Sequence, residues 1–340
     1  MFESCKWHDK LPDETLSVYE PYLTLFFETM YERQIIWKRR FMDEKPRPWT
    51  DNEILANFKF TNVYRELDRS SQYQIKTIML DDTLTLTNLT WKLMVYRFFN
   101  NPDTFSHPAA KKWRNGIPDY NEYDEQEFAD FIDEVRRSGI NPFTSAYLIN
   151  SLAAPNVSRD HCYTHVTIPR LHESVPRIVA LAVSSKTPED IISFLLTLPS
   201  VAEFIAHEFY QDFTYIPRYT NKRLMRWTQN DFTNVGPGAS LGIRLIFPNL
   251  SAKEQKTAIY KLRDMACEKL SEIAVKRGEP MPYVEWDKAT ARYKIVEQCN
   301  ITLHQIEMWL CEFQKYWKMT LKKGKQRGVF TPKGKKTAML

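Results

Sequence analysis

Two short turns, LPSVA at Leu198–Ala202 and VGPGA at Val235–Ala239, lie within about fifty residues of each other, and each leads into an apolar helical stretch. Glycine and proline between two helices predict a tight hairpin. Glycine lets the backbone approach a partner closely, and N–H groups at the start of the next helix favour an anion. One such turn is most simply an ordinary helix connection, but two of them favour contacts with DNA phosphates.

Helical periodicity dominates the chain on both sides of these turns. Apolar residues at helical spacing predict helices over about 16–42, 72–79, 86–99, 125–138, 189–197, 202–213, 252–277 and 302–323. Residues 100–124 are expected to form a long ordered loop, and only 155–170 has a β character. Because strands and helices do not alternate, we expect an all-α fold. Residues 1–317 would form one helical domain with two lobes and a central cleft.

The composition predicts a globular, well-packed protein without a membrane span. Hydrophobic residues make up 43% of the 340 residues, aromatic residues 14%, and glycine occurs only nine times. No run of eighteen apolar residues exists, and the first ten residues lack the apolar core of a signal peptide. We therefore expect a protein of the reducing cytoplasm, the host cytoplasm if it is viral. Its five scattered cysteines do not indicate a disulfide scaffold.

Metal binding is not expected from the sequence. The relevant cluster is His161-Cys162-x-x-His165, with His172 seven positions later. A zinc site needs a fourth ligand and a compact loop, and isolated pairs of this kind usually pack or form hydrogen bonds instead.

The charge is concentrated at the C-terminus. Nine Lys or Arg and no acidic residue occur from Lys315 to Leu340, so subtracting them from the net charge of +5 leaves −4 for the preceding 314 residues. Residues 318–340 are expected to form a flexible basic tail that attracts DNA phosphates, with a solubilising tail as the alternative. The tail does not meet the GxxxxGK[ST] spacing, so we do not expect this sequence to be a kinase by itself.

The first turn resembles the LPGVG hairpin of helix-hairpin-helix DNA glycosylases, which implies a fold of that kind. In that family an aspartate follows the hairpin by two to three dozen residues and lies at the flipped base, and Asp231 matches it by position. Ser200 and Ala202 replace the hairpin glycines. Phe204 stands where bifunctional glycosylases have a Schiff-base lysine, so lyase activity is not expected.

A second resemblance covers nearly the whole chain. It rests on five motifs: Glu32-Arg33-Gln34-x-Ile36, Pro48-Trp49-Thr50-x-Asn52, Phe60 to Arg69 (FTNVYRELDR), Gly236-Pro237-Gly238-Ala239, and Ile306 to Tyr316 (IEMWLCEFQKY). Asp212-Phe213-x-Tyr215 adds to them. These motifs resemble the helical domain shared by 5-hydroxymethyluracil DNA kinases and the α-glutamyl/putrescinyl-thymine pyrophosphorylases of phages. The kinases add a P-loop domain, which this sequence lacks, so the stand-alone pyrophosphorylase-like branch is the closer match.

This resemblance implies a group transfer on double-stranded DNA that contains modified thymine. A DNA kinase, a possible partner, pyrophosphorylates 5-hydroxymethyluracil, and an enzyme of this branch displaces pyrophosphate with an amine such as an amino acid or a polyamine. The reacting base is expected to be flipped out of the duplex. The pyrophosphate needs cations or N–H donors, and the amine needs a base. Magnesium often accompanies pyrophosphate, but no motif indicates a site for it.

We assign roles to eight residues on this basis. Asp231 is the first choice for the base and Asp212 the second; Asn62 would read the base edge and Trp49 would stack on it; Arg65, Arg69, Gly236 and Gly238 would hold phosphate. Each role has a structural alternative. Arg65 and Asp68 have helical spacing and could pair with neighbours only, and tryptophans are more often core residues.

Three further alternatives remain open. The helix with Glu307, Glu312, Lys315 and Tyr316 is expected to be structural, with Leu303, Ile306, Leu310 and Phe313 inside, although a buried glutamate would indicate a functional role. At the level of function, a glycosylase that excises a modified base is the second hypothesis. A non-catalytic DNA-binding partner of a kinase is the third.

Overall fold

The computed structural model describes residues 16–145, 154 and 156–322, which are mostly helical. In chain order the helices are α1 (Glu20–Trp37), α2 (Glu53–Asn57), α3 (Arg69–Gln74), α4 (Leu86–Phe99), α5 (Pro102–Phe105), α6 (Glu125–Arg137), α7 (Arg159–Cys162), α8 (Ile168–Ser184), α9 (Pro188–Leu195), α10 (Glu203–Tyr219), α11 (Pro237–Ile246), α12 (Ala252–Arg277) and α13 (Leu303–Thr320). Strands β1 (Tyr283–Asp287) and β2 (Arg292–Val296) form one hairpin. The prediction of an all-α class is confirmed in this coarse sense.

The described residues form two compact units. Unit 1 contains 16–68 and 229–322, and unit 2 contains the described residues of 69–228. In unit 1, α1 packs against α11, α12 and α13. Ten of its eighteen residues are buried, so α1 is a core helix rather than an amphipathic surface helix. The Trp309 indole donates to the Phe26 carbonyl over 3.1 Å, which fixes α13 on α1.

Unit 2 is built around α4, which packs against α8 and α10. Every residue of α4 from Leu89 to Phe99 is buried, including Lys92 and Arg97. Lys92 donates to the carbonyls of Arg114 (2.7 Å) and Ile117 and pairs with Asp119 (2.7 Å). Residues 100–124 were predicted to form an ordered loop. They contain one short helix and three 3-10 turns.

The prediction of β character over 155–170 is wrong. Ser158 caps α7 by accepting a hydrogen bond from the His161 N–H (3.2 Å), and the helix continues through a π turn, Tyr163–Thr167, into α8. The β-branched residues of this stretch are tolerated because tertiary packing outweighs their weak helix propensity. The strands lie at 283–296 instead, where Tyr283 pairs with Val296 and Asp287 with Arg292.

Two further features bear on the predictions. Cys267 of α12 and Cys299 form a disulfide with Cα atoms 5.6 Å apart, a pairing that the sequence does not predict. No helix among the described residues is long and apolar enough to cross a membrane. The predicted basic tail lies outside the described residues from position 323 onwards.

Candidate functional site

A pocket in unit 1 combines cationic and aromatic side chains. Its lining includes Arg33, Arg40 and Arg47 together with Phe41, Trp49, Phe58 and Phe60. None of the described residues that line it is acidic. A pocket with guanidinium groups and flat aromatic walls suits a ligand that has both a ring and an anionic group.

The end of α1 positions one side of this pocket. After Trp37 the helix widens into a π turn, Lys38–Met42, a distortion that often occurs at functional sites. Lys38 and Arg39 both pair with Glu279 (3.1 and 2.9 Å), so they anchor the turn. Arg40, the next residue, lies over the Phe41 and Trp49 rings, 4.5 and 5.1 Å from their centroids.

The segment after α1 forms the other side. Arg39 donates to the Trp49 carbonyl (2.8 Å), and the Trp49 indole donates to the Lys45 carbonyl (2.7 Å). Arg47 lies 5.6 Å from the Trp49 ring centroid. The Thr50 hydroxyl donates to Glu32 over 2.5 Å. These bonds hold Trp49 as part of the pocket wall, with Arg40 and Arg47 near its ring.

A hydrogen-bond network behind the pocket fixes Arg33. Its guanidinium donates to the Asn62 side-chain oxygen over 2.7 Å. The Asn62 side-chain amide in turn donates to Asp68 (2.9 Å), and Arg65 donates to the other Asp68 oxygen (2.6 Å). Burial lowers the pKa of Arg33 to about 10, although the Asp68 carboxylate opposes that shift. Arg33 is therefore a cation held in one orientation.

Helix α13 supplies buried carboxylates to the same unit. Glu312 is 2% exposed and accepts from the Thr61 backbone (3.2 Å) and from Lys315 (3.0 Å). Glu307 is also buried, at 4% exposure. Tyr316 accepts from the Asn52 side chain over 2.8 Å. The buried glutamates meet the condition under which α13 would have a functional role, and that role stays a prediction, since the partners of Glu312 also suit a structural one.

Four of the motifs thus meet in unit 1. They are residues 32–36, 48–52, 60–68 and 306–316, which are connected by the Thr50–Glu32, Arg33–Asn62, Thr61–Glu312 and Asn52–Tyr316 bonds. Trp49 lines the pocket, as its predicted role requires. Asn62 uses both side-chain atoms within the network, so reading a base edge would require breaking one of these bonds. Arg65 pairs with Asp68, which is the structural alternative that the spacing indicated.

Gly238 of the second turn and Gly242 of α11 have a packing role. The segment before Gly236 is not helical from Thr220 onwards, so this turn does not join two helices as predicted. A Cβ on Gly238 would lie 2.9 Å from the Cys311 sulfur, and one on Gly242 would lie 2.5 Å from the Leu310 carbonyl oxygen. The small residues therefore let α11 pack closely on α13. Phosphate binding by Gly236 and Gly238 stays a prediction.

We expect Gly242→Ala to lower the free energy of unfolding by about 1–3 kcal/mol, because the new methyl group would displace the α13 backbone. Gly236→Ala is the matched control, since the nearest atom to its Cβ would be a Glu307 oxygen at 3.8 Å. Urea denaturation of both variants measures the difference. Equal stability of the two would contradict the close packing of α11 on α13.

The two predicted bases have different surroundings. Asp212 is fully buried in unit 2, where its carboxylate accepts hydrogen bonds from Arg97 (2.5 and 2.8 Å) and from Gln74 (3.0 Å). A residue enclosed in this way cannot meet an amine substrate, so we assign Asp212 a structural role. Asp231 is half-buried in the turn before α11 and belongs to unit 1. Its neighbour Asn230 accepts from the Leu303 N–H (3.1 Å), which places the turn at the start of α13.

The remaining predicted residues lie in unit 2. Arg69 is exposed and pairs with Asp103 over 2.5 Å. The LPSVA turn does join two helices, α9 and α10, which pack against each other. Ser200 has a φ of 60° there, a left-handed conformation that glycine adopts more easily, and its hydroxyl bonds to Thr167 (2.8 Å).

The His161 and His165 rings of the predicted cluster lie 4.5 Å apart, and His165 and His172 have partners of their own. His165 pairs with Glu125 (2.8 Å), and His172 bonds to the Tyr120 carbonyl (2.8 Å). Among the residues that the structure describes, no three His, Cys, Asp or Glu side chains form a group that could hold a metal ion.

Sequence reasoning assigned no role to Arg33, Arg40, Arg47 and Phe41, which line the candidate pocket. A signal was present, because residues 38–49 read KRRFMDEKPRPW and interleave five cations with two aromatic residues. Basic residues alternating with rings are typical of surfaces that bind nucleic acids. The motifs include Arg33 and Trp49, but the sequence does not indicate that both residues line one pocket.

Comparison with known proteins agrees with these motifs. A family model described as the helical domain of 5-hmdU DNA kinase matches residues 20–326. A 5-hmdU DNA kinase of Bacillus phage SP10 is 27% identical over 322 residues, which is 92% of this chain and 47% of the relative. The chain thus spans about half the length of the curated relative that it matches. No solved structure matches it. Because the family model covers most of its residues, the chain belongs to the family defined by the helical domain of 5-hmdU DNA kinases.

Proposed function

We propose that this protein is a DNA-modifying transferase that joins an amine to the activated 5-methylene group of 5-hydroxymethyluracil in phage DNA, with release of pyrophosphate. The observation that carries the proposal is the unit 1 pocket, which joins three guanidinium groups to aromatic walls and has no acidic residue among its described lining. Its relative from Bacillus phage SP10 is a 5-hmdU DNA kinase, which supports a modified pyrimidine in DNA as the substrate.

In this reaction the pocket binds the base and the diphosphate, and a carboxylate accepts the proton of the amine. The base leaves the duplex and stacks on Trp49, while the arginines hold the diphosphate. The amine nitrogen attacks the methylene carbon, and the carbon–oxygen bond to the diphosphate breaks. Pyrophosphate leaves with the bonding electrons. The amine proton passes to a base, for which we propose Asp231 from its position after the LPSVA turn, since the structure places it in the turn at the start of α13 and not in the pocket lining. The basic C-terminal segment would attract the flanking phosphates.

The direct test is mass spectrometry of nucleosides. DNA with 5-hydroxymethyluracil is treated with a matching DNA kinase and ATP, then incubated with the protein and a mixture of amino acids and polyamines. The proposal expects a nucleoside that carries one amine, together with released pyrophosphate, and reactions without donor or without kinase treatment should lack it. Parallel reactions with EDTA and with magnesium determine the metal requirement.

Two other outcomes lead to the other hypotheses. Free base and abasic sites would identify a glycosylase, since the glycosidic bond would be broken. DNA that is bound but unchanged with every donor would contradict catalysis. The protein would then be a DNA-binding partner of a kinase.

A further inference from the structure

A disulfide at the surface of unit 1 is accessible to thiols in solution. It joins Cys267 of α12 to Cys299, which lies between β2 and α13. Cys267 is exposed and Cys299 is half-buried. The rate at which a thiolate attacks a disulfide depends on access to the sulfur, and exposed disulfides are the labile ones. The position of this bridge therefore suits exchange in the folded protein.

The other two described cysteines do not suit this chemistry. Cys162 is fully buried in unit 2. Burial, and then the nearby Glu307 carboxylate, raise the pKa of the Cys311 thiol well above its ordinary value. Because the thiolate is the form that reacts, Cys311 stays an inert thiol at neutral pH. Thiol exchange among the described cysteines is thus expected at the Cys267–Cys299 pair.

Two hydrogen bonds connect the bridge to the network behind the pocket. Asn300 follows Cys299 in the chain, and its side-chain amide donates to the Val284 carbonyl over 2.9 Å. Its side-chain oxygen accepts from the Tyr64 hydroxyl over 2.5 Å. Tyr64 is 1% exposed and belongs to the segment 60–68, which supplies the network behind the pocket. The disulfide therefore restrains a residue that holds this segment.

Other bonds hold the first part of the bridged segment independently of the disulfide. The Tyr31 hydroxyl donates to the Glu279 carbonyl (2.6 Å), and the Gln34 side chain donates to the Pro282 carbonyl (3.0 Å). Both donors lie in α1, which is a core helix. Opening the disulfide should therefore release the residues around 299–302 and leave 279–282 in place.

We propose that Cys267 and Cys299 form a reversible redox site, which a small thiol of the glutathione class reduces in the folded protein. Reduction loosens segment 60–68 through Asn300. The small thiolate attacks the exposed Cys267 sulfur, the S–S bond breaks, and Cys299 leaves as a thiolate that takes up a proton. A second small thiol attacks the mixed disulfide and releases Cys267. In sum, two small thiols become one disulfide, and the protein disulfide becomes two thiols.

The first test is peptide mapping of the full chain by mass spectrometry. Protein equilibrated with oxidised glutathione should yield two peptides joined through Cys267 and Cys299. Reduced glutathione should separate them under native conditions, while the circular dichroism spectrum stays that of the folded protein.

The second test compares hydrogen exchange of the oxidised and the reduced protein. Amides of 60–68 and 299–302 should exchange about tenfold faster or more after reduction, because local opening there becomes easier. Amides of 279–282 and of α4 are internal controls and should not change. The comparison needs no substitution, so misfolding of a variant cannot imitate the result.

Two variants separate the disulfide from the hydrogen bonds of Asn300. Cys299→Ser should match the reduced wild type, and glutathione should change its exchange no further. Tyr64→Phe removes the hydroxyl that bonds to Asn300 but keeps the ring. Its disulfide should still form, while amides of 60–68 should exchange fast in both redox states.

Three results would each overturn the inference. They are a bridge that does not form with oxidised glutathione, a bridge that opens only when the protein unfolds, and equal exchange of 60–68 in both redox states. None of these measurements contains DNA or an amine donor. Failure of this inference and failure of the transfer reaction are therefore observed separately.

Discussion

Arg97→Ala is expected to lower the free energy of unfolding by about 3–5 kcal/mol, the range typical of removing one partner from a buried ion pair. The Arg97 side chain is 4% exposed and is bonded to two buried carboxylates. It donates to both oxygens of Asp212 (2.5 and 2.8 Å) and to Glu208 (3.0 Å). Its loss would leave both acids in the core of unit 2 without their cation.

The loss should depend on pH in a defined direction. Burial raises the pKa of Asp212 even with Arg97 present, and removing Arg97 raises the pKa further. The folded state then binds protons that the unfolded state releases, so stability falls as pH rises above the ordinary aspartate pKa of about 4. The deficit of Arg97→Ala relative to the wild type should therefore shrink as pH falls towards that value.

Urea denaturation at several pH values measures both effects. Arg170→Ala removes an exposed pair with Glu173 and should change stability little at any pH. An Arg97→Ala variant as stable as the wild type at neutral pH would contradict the burial of this network.

Asp231→Asn is expected to lower the rate of amine transfer about 10²–10⁴-fold, the range for losing a general base. The amide keeps the size of the side chain but cannot accept the amine proton. Nucleoside mass spectrometry gives the rate, and DNA binding measured in parallel should be retained. This combination would exclude a purely DNA-binding role.

Asp212→Asn is the comparison variant, since both aspartates were candidates for the same role. It should reduce stability rather than the activity of the folded protein, because Asp212 is enclosed by Arg97 and Gln74. A larger loss of transfer in Asp212→Asn than in Asp231→Asn, at equal folded protein, would reverse the assignment.

Local sequence signals predicted many of the helices. The helix predicted over 86–99 has the bounds of α4, because Thr85 caps its start and Asn100 adopts a left-handed conformation at its end. The sequence did not predict α8, which contains Pro176 in its interior and would normally be interrupted there. The hairpin at 283–296 was missed although Tyr283, Val284, Trp286 and Tyr293 have strand propensity, because its two strands have only five residues each.

The site was predicted less completely than the fold. The motifs contain several residues of the candidate pocket, and Trp49 lines it, while its stacking on a base stays a prediction. Which arginine faces the pocket depends on the π turn after Trp37 and on the Asn62–Asp68 network, and both arise from contacts between residues far apart in the chain. Asp212 and Asp231 differ in burial, and neither the composition nor the spacing of the sequence indicates that difference.

The order of segments in unit 1 has a consequence for synthesis of the protein on the ribosome. Phe26 of α1 contacts Trp309 of α13, 283 residues later, and the whole of unit 2 is translated in between. At 5–20 residues per second, α1 waits on the order of 15 to 60 s for its partner. Unit 2 can fold during that time, whereas the apolar side chains of α1 remain a target for chaperones until α13 leaves the ribosome.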